Sequence, residues 1–307
     1  MKSTLTSTYS KWMVKVNRKG WGNYIFFLPY FCLFLVFYVV PIFYGLYISL
    51  CNWEMVRQRV PQFTGLDNYV DVLKSSEFWS SIYVTLYFLI LSLPLLIIIP
   101  FILAYLLYKV EFLKSLFRAV YFLPAILSIA IVGILWHWIY NPQFGLLNTF
   151  LKIVGLSQVP WITSKTWAMP SIAIMTIWWI YGINMIILLA GLEEIPSSYI
   201  EAAKIDGANE LQIINQIILP LLKPLFLFVI TMGIIGSFQV FGQTFIVTSG
   251  GPEKATLVVL HHIYNNAFVF YRMGYGCAAS FVLFAIIAVF SFLNYILLRD
   301  KHLGGYV

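Results

Sequence analysis

An all-α polytopic membrane protein with six transmembrane helices is the fold class this sequence predicts, and two observations predict it. Of 307 residues, 61% are hydrophobic and only 10% charged, against roughly 25% charged in soluble domains. The second observation is where the charges are missing. Gly20–Trp53, Phe78–Tyr108, Ala119–Leu151, Thr166–Leu192, Leu225–Pro252 and Met273–Leu298 contain no Asp, Glu, Lys or Arg. Each run exceeds the ~20 residues an α-helix needs to cross the hydrocarbon core. Lipid offers no partner for backbone groups, and uninterrupted apolar runs suit helices rather than the alternating strands of a barrel.

Within these runs the spans are expected near Asn23–Ser49, Ser80–Tyr108, Ala119–Tyr140, Ala168–Gly191, Leu225–Val247 and Gly276–Leu298. The first follows the basic stretch "KWMVKVNRKG", which has the charge of a signal peptide. Its apolar part is too long for a signal h-region and lacks an A-x-A site, so it is expected to be a retained span. The loop Leu50–Trp79 carries "FTGLDNYVDVL", and the short basic hairpin "KVEFLKSLFR" makes spans two and three antiparallel neighbours. A shorter run, Ala255–Tyr271, contains His261, His262, Asn265 and Asn266 and is expected to be a helix at the outer interface. The chain divides into an N-terminal segment 1–22, one integral domain 23–299 and a tail 300–307.

Orientation follows from Lys and Arg. With the N-terminus cytoplasmic, the inner segments hold Lys2, Lys11, Lys15, Arg18, Lys19, Lys109, Lys114, Arg118, Lys204, Lys223, Arg299 and Lys301, twelve of the nineteen basic residues. That bias predicts both termini inside a cell membrane. The net charge of +7 then serves contact with membrane lipid, and the absence of an aromatic-interleaved basic patch argues against nucleic acid as a partner. Cys32, Cys51 and Cys277 show neither metal spacing nor a paired framework.

The connection between spans four and five, 193–224, is where this oily chain places its acids: Glu193, Glu194, Glu201, Asp206 and Glu210. Pro196 suits the first turn of a helix, Ser197–Ile205 holds good helix formers, and Asp206-Gly207 supplies a stop. A second helix is expected from about Ala208, with Pro220 and Pro224 bending the chain into span five. Tyr199, Ala202 and Ala203 fall on one face by i, i+3, i+4 spacing, and Glu201 with Lys204 on another. Two alanines leave a shallow face that admits close approach. An amphipathic connector lying on the membrane is the alternative, but such helices favour Lys and Arg on the polar face. This one is acidic, which fits docking onto a soluble, partly basic partner.

Polar groups at depth are the other candidates. In "MTIWWIYGIN", Trp178 and Trp179 lie too deep for an interfacial aromatic belt. Thr176 shares a face with Trp179, and Trp178 one with Tyr181. In "GIIGSFQVFGQ", Gly236, Gln239 and Gln243 form a stripe at i, i+3, i+7. Amides in a membrane are costly unless paired or facing a cavity; interhelical bonding beside small residues is the alternative reading. His137, between Trp136 and Trp138, reads as a belt or packing residue. His261 and His262 are adjacent, hence on different faces, with no acid at ligand spacing; no metal site and no catalytic residue are expected.

The segment "EAAKIDGANELQIINQIILPLLKP" resembles the EAA motif of ABC-importer permeases, with its Glu-Ala-Ala, its Gly at a short interval and its distal Leu-Pro. "FTGLDNYV", "LFRAVYFLP", "NPQFGLLNTFL", "LLAGLEEIPSSYIEAAKIDGA" and "SGGPEKAT" extend the resemblance, which points to the carbohydrate subgroup related to the maltose permease larger subunit. The resemblance implies a type I importer fold in which Glu201, Ala202, Ala203, Asp206 and Gly207 form a coupling helix that seats in a cytoplasmic ATPase. It implies a second, homologous permease, two ATP-binding subunits, an extracytoplasmic solute-binding protein and a carbohydrate substrate, probed by Thr176, Trp178, Trp179, Ile180, Gly233, Ser237 and Val240. Apolar Ile180 and Val240 depart from the maltose pattern. The chain contains no G-x-x-x-x-G-K-[ST] phosphate loop, so no cofactor is expected on it and ATP with Mg is left to the partner ATPase. Uptake of an oligosaccharide by alternating access is the expected function. An importer of another polar solute such as glycerol phosphate, and a membrane-embedded transferase, are the alternatives; the first lacks cations in spans four and five, the second a clustered acid, His or metal site.

Overall fold

The computed structural model describes residues 21–298 apart from 57–59 and 111. The tail 300–307, all but the last two residues of the segment 1–22, and the basic residues at 2, 11, 15, 18, 19, 57, 59, 299 and 301 lie outside the described residues.

Five helices are long and apolar enough to cross a membrane, or six when one bent pair counts as a span. Span one joins α1 (Trp21–Phe34) to α2 (Val40–Ser49) through a π-turn, Leu35–Val39. A two-stranded ribbon, β1 (Cys51–Asn52) with β2 (Gln62–Phe63), and α3 (Asp67–Lys74) fill the next loop. Span two comprises α4 (Ser76–Ser92) and α5 (Leu95–Tyr108). Its 33 residues reach ~50 Å, well beyond a ~30 Å hydrocarbon core.

Span three departs from expectation. In place of one helix over Ala119–Tyr140, α6 (Lys114–Ile126) and α7 (Ile129–Ile139) meet at 93°. Pro124 removes a donor near the end of α6. Leu127 and Ser128 are extended, and Ser128 restarts the helix as its N-cap, with its hydroxyl 3.5 Å from the Ile131 amide. After α8 (Leu146–Ile153), span four is the single helix α9 (Ala168–Glu193), with half its most apolar stretch buried, against none of span one and 22% of spans two, five and six. It is the hub of the bundle.

The connection holds α10 (Ser197–Ile205) and α11 (Glu210–Ile213); a second π-turn, Ile214–Ile218, leads into α12 (Leu219–Phe238). Neither Pro220 nor Pro224 breaks the helix, and Glu210–Phe238 runs as one 29-residue span. The physical reason repeats in span one: each π-turn ends two residues before Pro41 or Pro220, where an i to i−5 bond widens the backbone. The carbonyl four residues before the ring is thereby moved out of its way. Short α13 (Gly242–Thr248) and α14 (Val259–Tyr264), the latter continued by the π-turn Asn265–Val269, precede span six, α15 (Met273–Leu298).

One core cluster joins α4, α12, α14 and α15 through Phe78, Ile234, Phe238, Val259 and Ala278; a second, toward the other end, joins α5, α9 and the connection through Leu107, Met185, Leu188, Leu192, Ile213 and Ile218. Loops segregate as six crossings require. Lys109 meets Glu210 at one end; at the other, Glu54 pairs with Arg272 as a β-bridge, and Lys254 lies 2.5 Å from Glu77.

Candidate coupling loop and translocation path

The loop after span four forms from local rules. Pro196 is extended and caps α10; the helix closes at Asp206, and Gly207 takes φ +83°. Ala208 N–H donates to Ala203 C=O at 2.9 Å and Gly207 N–H to Lys204 C=O at 3.1 Å, the paired bonds of a Schellman stop. A second device went unread in the sequence. Asn209 Oδ1 accepts from Gln212 N–H at 2.9 Å while Gln212 Oε1 accepts from Asn209 N–H at 2.7 Å, a capping box that starts α11. The Asn-x-x-Gln spacing was the available signal.

α10 lies on the protein's end with no fully buried residue. Ile200 and Ala203 face inward onto the cluster of Leu107, Leu192 and Ile213. Tyr199 (54% exposed) and Ile205 (86%), with exposed Ala202 between, face out, and Leu211 (69%) adds to them. This corrects the assignment of Ala202 and Ala203 to one docking face: successive helical residues diverge by about 100°, and Ala203 follows Ile200 into the core. Only Ala202 is presented.

The acids also divide. Glu193 Oε1 lies 2.6 Å from Lys114 Nζ and accepts from Arg118; Glu210 accepts from Lys109 and, at 2.9 Å, from Tyr105 Oη. That carboxylate holds the Lys109 ammonium above its usual pKa range. Glu193 and Glu210 therefore belong to the hairpin between spans two and three, contrary to the reading of all five acids as one docking surface. Glu194, Glu201 and Asp206 are exposed and form no ion pair among the described residues.

Of the candidate path residues, the aromatic ones meet the two halves of span three. Trp179 Nε1 donates at 3.1 Å to Leu127 C=O, a carbonyl freed at the 93° bend. Trp178 meets Trp136 of α7 edge-on, ring centroids 5.6 Å apart, and Tyr181 meets Tyr121 of α6 at 6.2 Å. Thr176 is buried and its hydroxyl donates back to Ile172 C=O at 2.8 Å. Ile180 is half-buried. Gly233 closes span five on span two: an added Cβ would stand 2.5 Å from Leu93 Cδ1. Ser237 is buried, and Val240 packs with Phe88, Ile172, Ala173 and Val258.

The stripe of Gly236, Gln239 and Gln243 does not exist. α12 ends at Phe238, Phe241 leaves helical geometry at φ −149°, and α13 begins at Gly242. Gln239 is exposed and Gln243 buried on a different helix. Gly242, whose added Cβ would lie 3.0 Å from Ile129, seats α13 against the start of α7. The breaks of spans three and five thus face each other beside α9. His137 is exposed, with Nδ1 3.4 Å from Val247 C=O.

One polar group within span four serves the backbone of span two. Pro100, inside α5, cannot donate to Leu96 C=O. Asn184 Nδ2 of α9 donates to that carbonyl instead, at 2.9 Å. A proline and an asparagine within neighbouring spans were the signal.

The family model described as binding-protein-dependent transport system inner membrane component matches residues 69–302. The trehalose/maltose transport system permease protein MalF of Thermococcus litoralis is 33% identical over 271 residues, covering 88% of this chain and 90% of that protein. The lactose transport system permease protein LacF of Rhizobium radiobacter is 33% identical over 288 residues, covering 92% and 94%. A chain from the crystal structure of a bacterial alginate ABC transporter, solved with an alginate pentasaccharide-bound periplasmic protein, matches with TM-score 0.79 and 25% identity over 93% of this chain and 96% of its own.

Proposed function

The chain belongs to the binding-protein-dependent transport system inner membrane components, and we propose that it is the permease subunit through which an ABC importer takes up a carbohydrate, an oligosaccharide. It is a multi-pass membrane transport subunit and not itself an enzyme. Sugars are the cargo in the names of the Thermococcus and Rhizobium relatives, and alginate in that of the structural neighbour. In this reading an extracytoplasmic solute-binding protein delivers the sugar, two cytoplasmic subunits bind and hydrolyse ATP with Mg, and a second, homologous permease completes the path. The protein lies in the cell's inner membrane with both termini cytoplasmic.

One observation carries the proposal: α10 is a short helix stopped by a left-handed glycine, held inward by Ile200 and Ala203, with Tyr199, Ala202 and Ile205 turned out. An exposed apolar face rimmed by Glu201 and Asp206, which pair with no basic group among the described residues, is what a soluble ATPase with a partly basic cleft would cover. Facing breaks in spans three and five support transport as well, because irregular backbone within a membrane is tolerated where it is buried in protein or lines a pathway. Trp178, Trp179, Tyr181, Thr176, Ile180, Gly233, Ser237, Val240, Gln239 and Gln243 are the proposed path residues. Alternating access would expose them to each side in turn.

The test is reconstitution with candidate ATPases and solute-binding protein. Glu201→Lys and Gly207→Pro are expected to cut uptake and ATPase co-purification several-fold while sugar affinity of the solute-binding protein stays unchanged. Full uptake with normal co-purification in both variants would refute the coupling role.

A further inference from the structure

Two ion-paired clusters flank the coupling helix, and the docking face uses neither. Ahead of it, Glu193 joins Lys114 and Arg118; beyond it, Glu210 joins Lys109 and Tyr105. Lys109 and Lys114 also lie 4.6 and 5.8 Å from the ring centroids of Tyr105 and Tyr108. Every donor comes from one stretch, the end of α5 through the first turns of α6. Between the clusters the helix is not packed solid against that stretch: a groove of about 220 Å³, lined in part by Tyr105, Tyr108, Glu201 and Lys204, separates them.

Covalently, α10 is joined only to spans four and five. Packing of Ile200 and Ala203 fixes its depth, but a nonpolar contact is non-directional and leaves its rotation loose. Ion pairs at both ends supply the missing direction. We propose that Lys109, Lys114 and Arg118, with Glu193 and Glu210, are positioning residues that fasten the coupling helix to spans two and three at both ends. A displacement of the helix by an ATPase is then delivered to α6 and so to the bend at Leu127–Ser128, not to its own two spans alone.

The proposal rests on the importer reading and adds a route to it. The side chains are 26% to 59% exposed, so the pairs are screened and add little to stability. Neutralising them should therefore leave the fold intact, which makes function the informative readout.

The experiment compares the unmodified complex with Lys109→Glu, Glu210→Lys and the double exchange in proteoliposomes, measuring sugar taken up per ATP hydrolysed, ATPase rate stimulated by the solute-binding protein, and ATPase co-purification. Each single variant is expected to lower uptake per ATP several-fold with co-purification preserved, and the double exchange to recover at least half of it. Unchanged uptake per ATP in the singles would overturn the inference, as would a loss that the exchange does not repair. Loss of co-purified ATPase in the singles would also overturn it, since the residues would then act in docking. Absence of uptake by the unmodified complex would instead refute the importer reading.

Discussion

Gly207 and Gly182 are both intolerant of a side chain, for opposite reasons. At Gly207, φ is +83° and an added Cβ would meet nothing within 4 Å. Only backbone strain opposes substitution, roughly 1–2 kcal/mol for an L-residue in that region. Gly207→Ala should weaken ATPase co-purification in part, and Gly207→Asn less, because Asn tolerates the left-handed region; equal losses would mean that φ is not the constraint. At Gly182 an added Cβ would stand 2.1 Å from Tyr121 O and 3.0 Å from Phe122 Cα, backbone atoms that cannot swing aside. Overpacking of this kind costs about 1–3 kcal/mol or more. Gly182→Ala should lower the yield of monodisperse protein and its thermal midpoint in detergent, whatever partners are present. The first glycine is legible from sequence, since Asp-Gly after a helical run announces a stop. The second is not, because its constraint is a helix more than fifty residues away.

Among elements, proline-containing spans show how the backbone is kept satisfied. Pro41 and Pro220 follow π-turns, and Pro100 leaves Leu96 C=O to the side chain of Asn184. If Asn184 substitutes for the missing amide, its removal should matter less once that amide returns. Asn184→Leu should cost on the order of 1 kcal/mol in the native background and markedly less with Pro100→Ala, where residue 100 can donate to Leu96. Denaturation of the four proteins in detergent completes this double-mutant cycle; an identical cost in both backgrounds would show that Asn184 acts otherwise. Span three marks the limit of reading elements from hydropathy. A charge-free run reports that a segment is apolar, yet it carries no direction, and a 93° turn leaves it unaltered. Pro124 followed by Ser128 was the local trace of that turn, but Pro41 and Pro100 occur in helices that continue.

At the scale of the whole molecule, the end opposite the loop between spans four and five is tied by buried histidines. His262 Nε2 lies 3.2 Å from both Tyr275 Oη and Asn266 Nδ2, against the edge of Phe78. Asn266 Nδ2 also donates to His262 C=O at 3.0 Å. Burial pushes the His262 pKa below the usual value; Lys254 and Arg272 add to this and Glu77 opposes it. His261 is likewise lowered by burial. The folded protein then binds fewer protons than the unfolded chain, so this stability is fully present above the unfolded value of ~6.5, declines below it and is lost as pH falls through the lower folded value. The thermal midpoint should drop on acidification from about pH 7.5 to about 5.5, and His262→Gln should flatten part of that drop. A variant with an unaltered profile would remove His262 from the account.

Sequence by itself determined how many apolar segments the chain has, where α10 begins and ends, and that Gly207 turns it, because caps, stops and hydrophobic runs act over a few residues. Tertiary structure decided which parts of that loop remain available. Glu193 and Glu210 are taken by Arg118 and Lys109, residues 75 and 101 positions away along the chain, and Ala203 is taken by a core that Leu107 and Leu192 complete. Composition places five acids in the loop, but only the fold leaves Glu194, Glu201 and Asp206 free among the described residues. A charge's partner is set by where distant helices end, and helical periodicity contains no information about that.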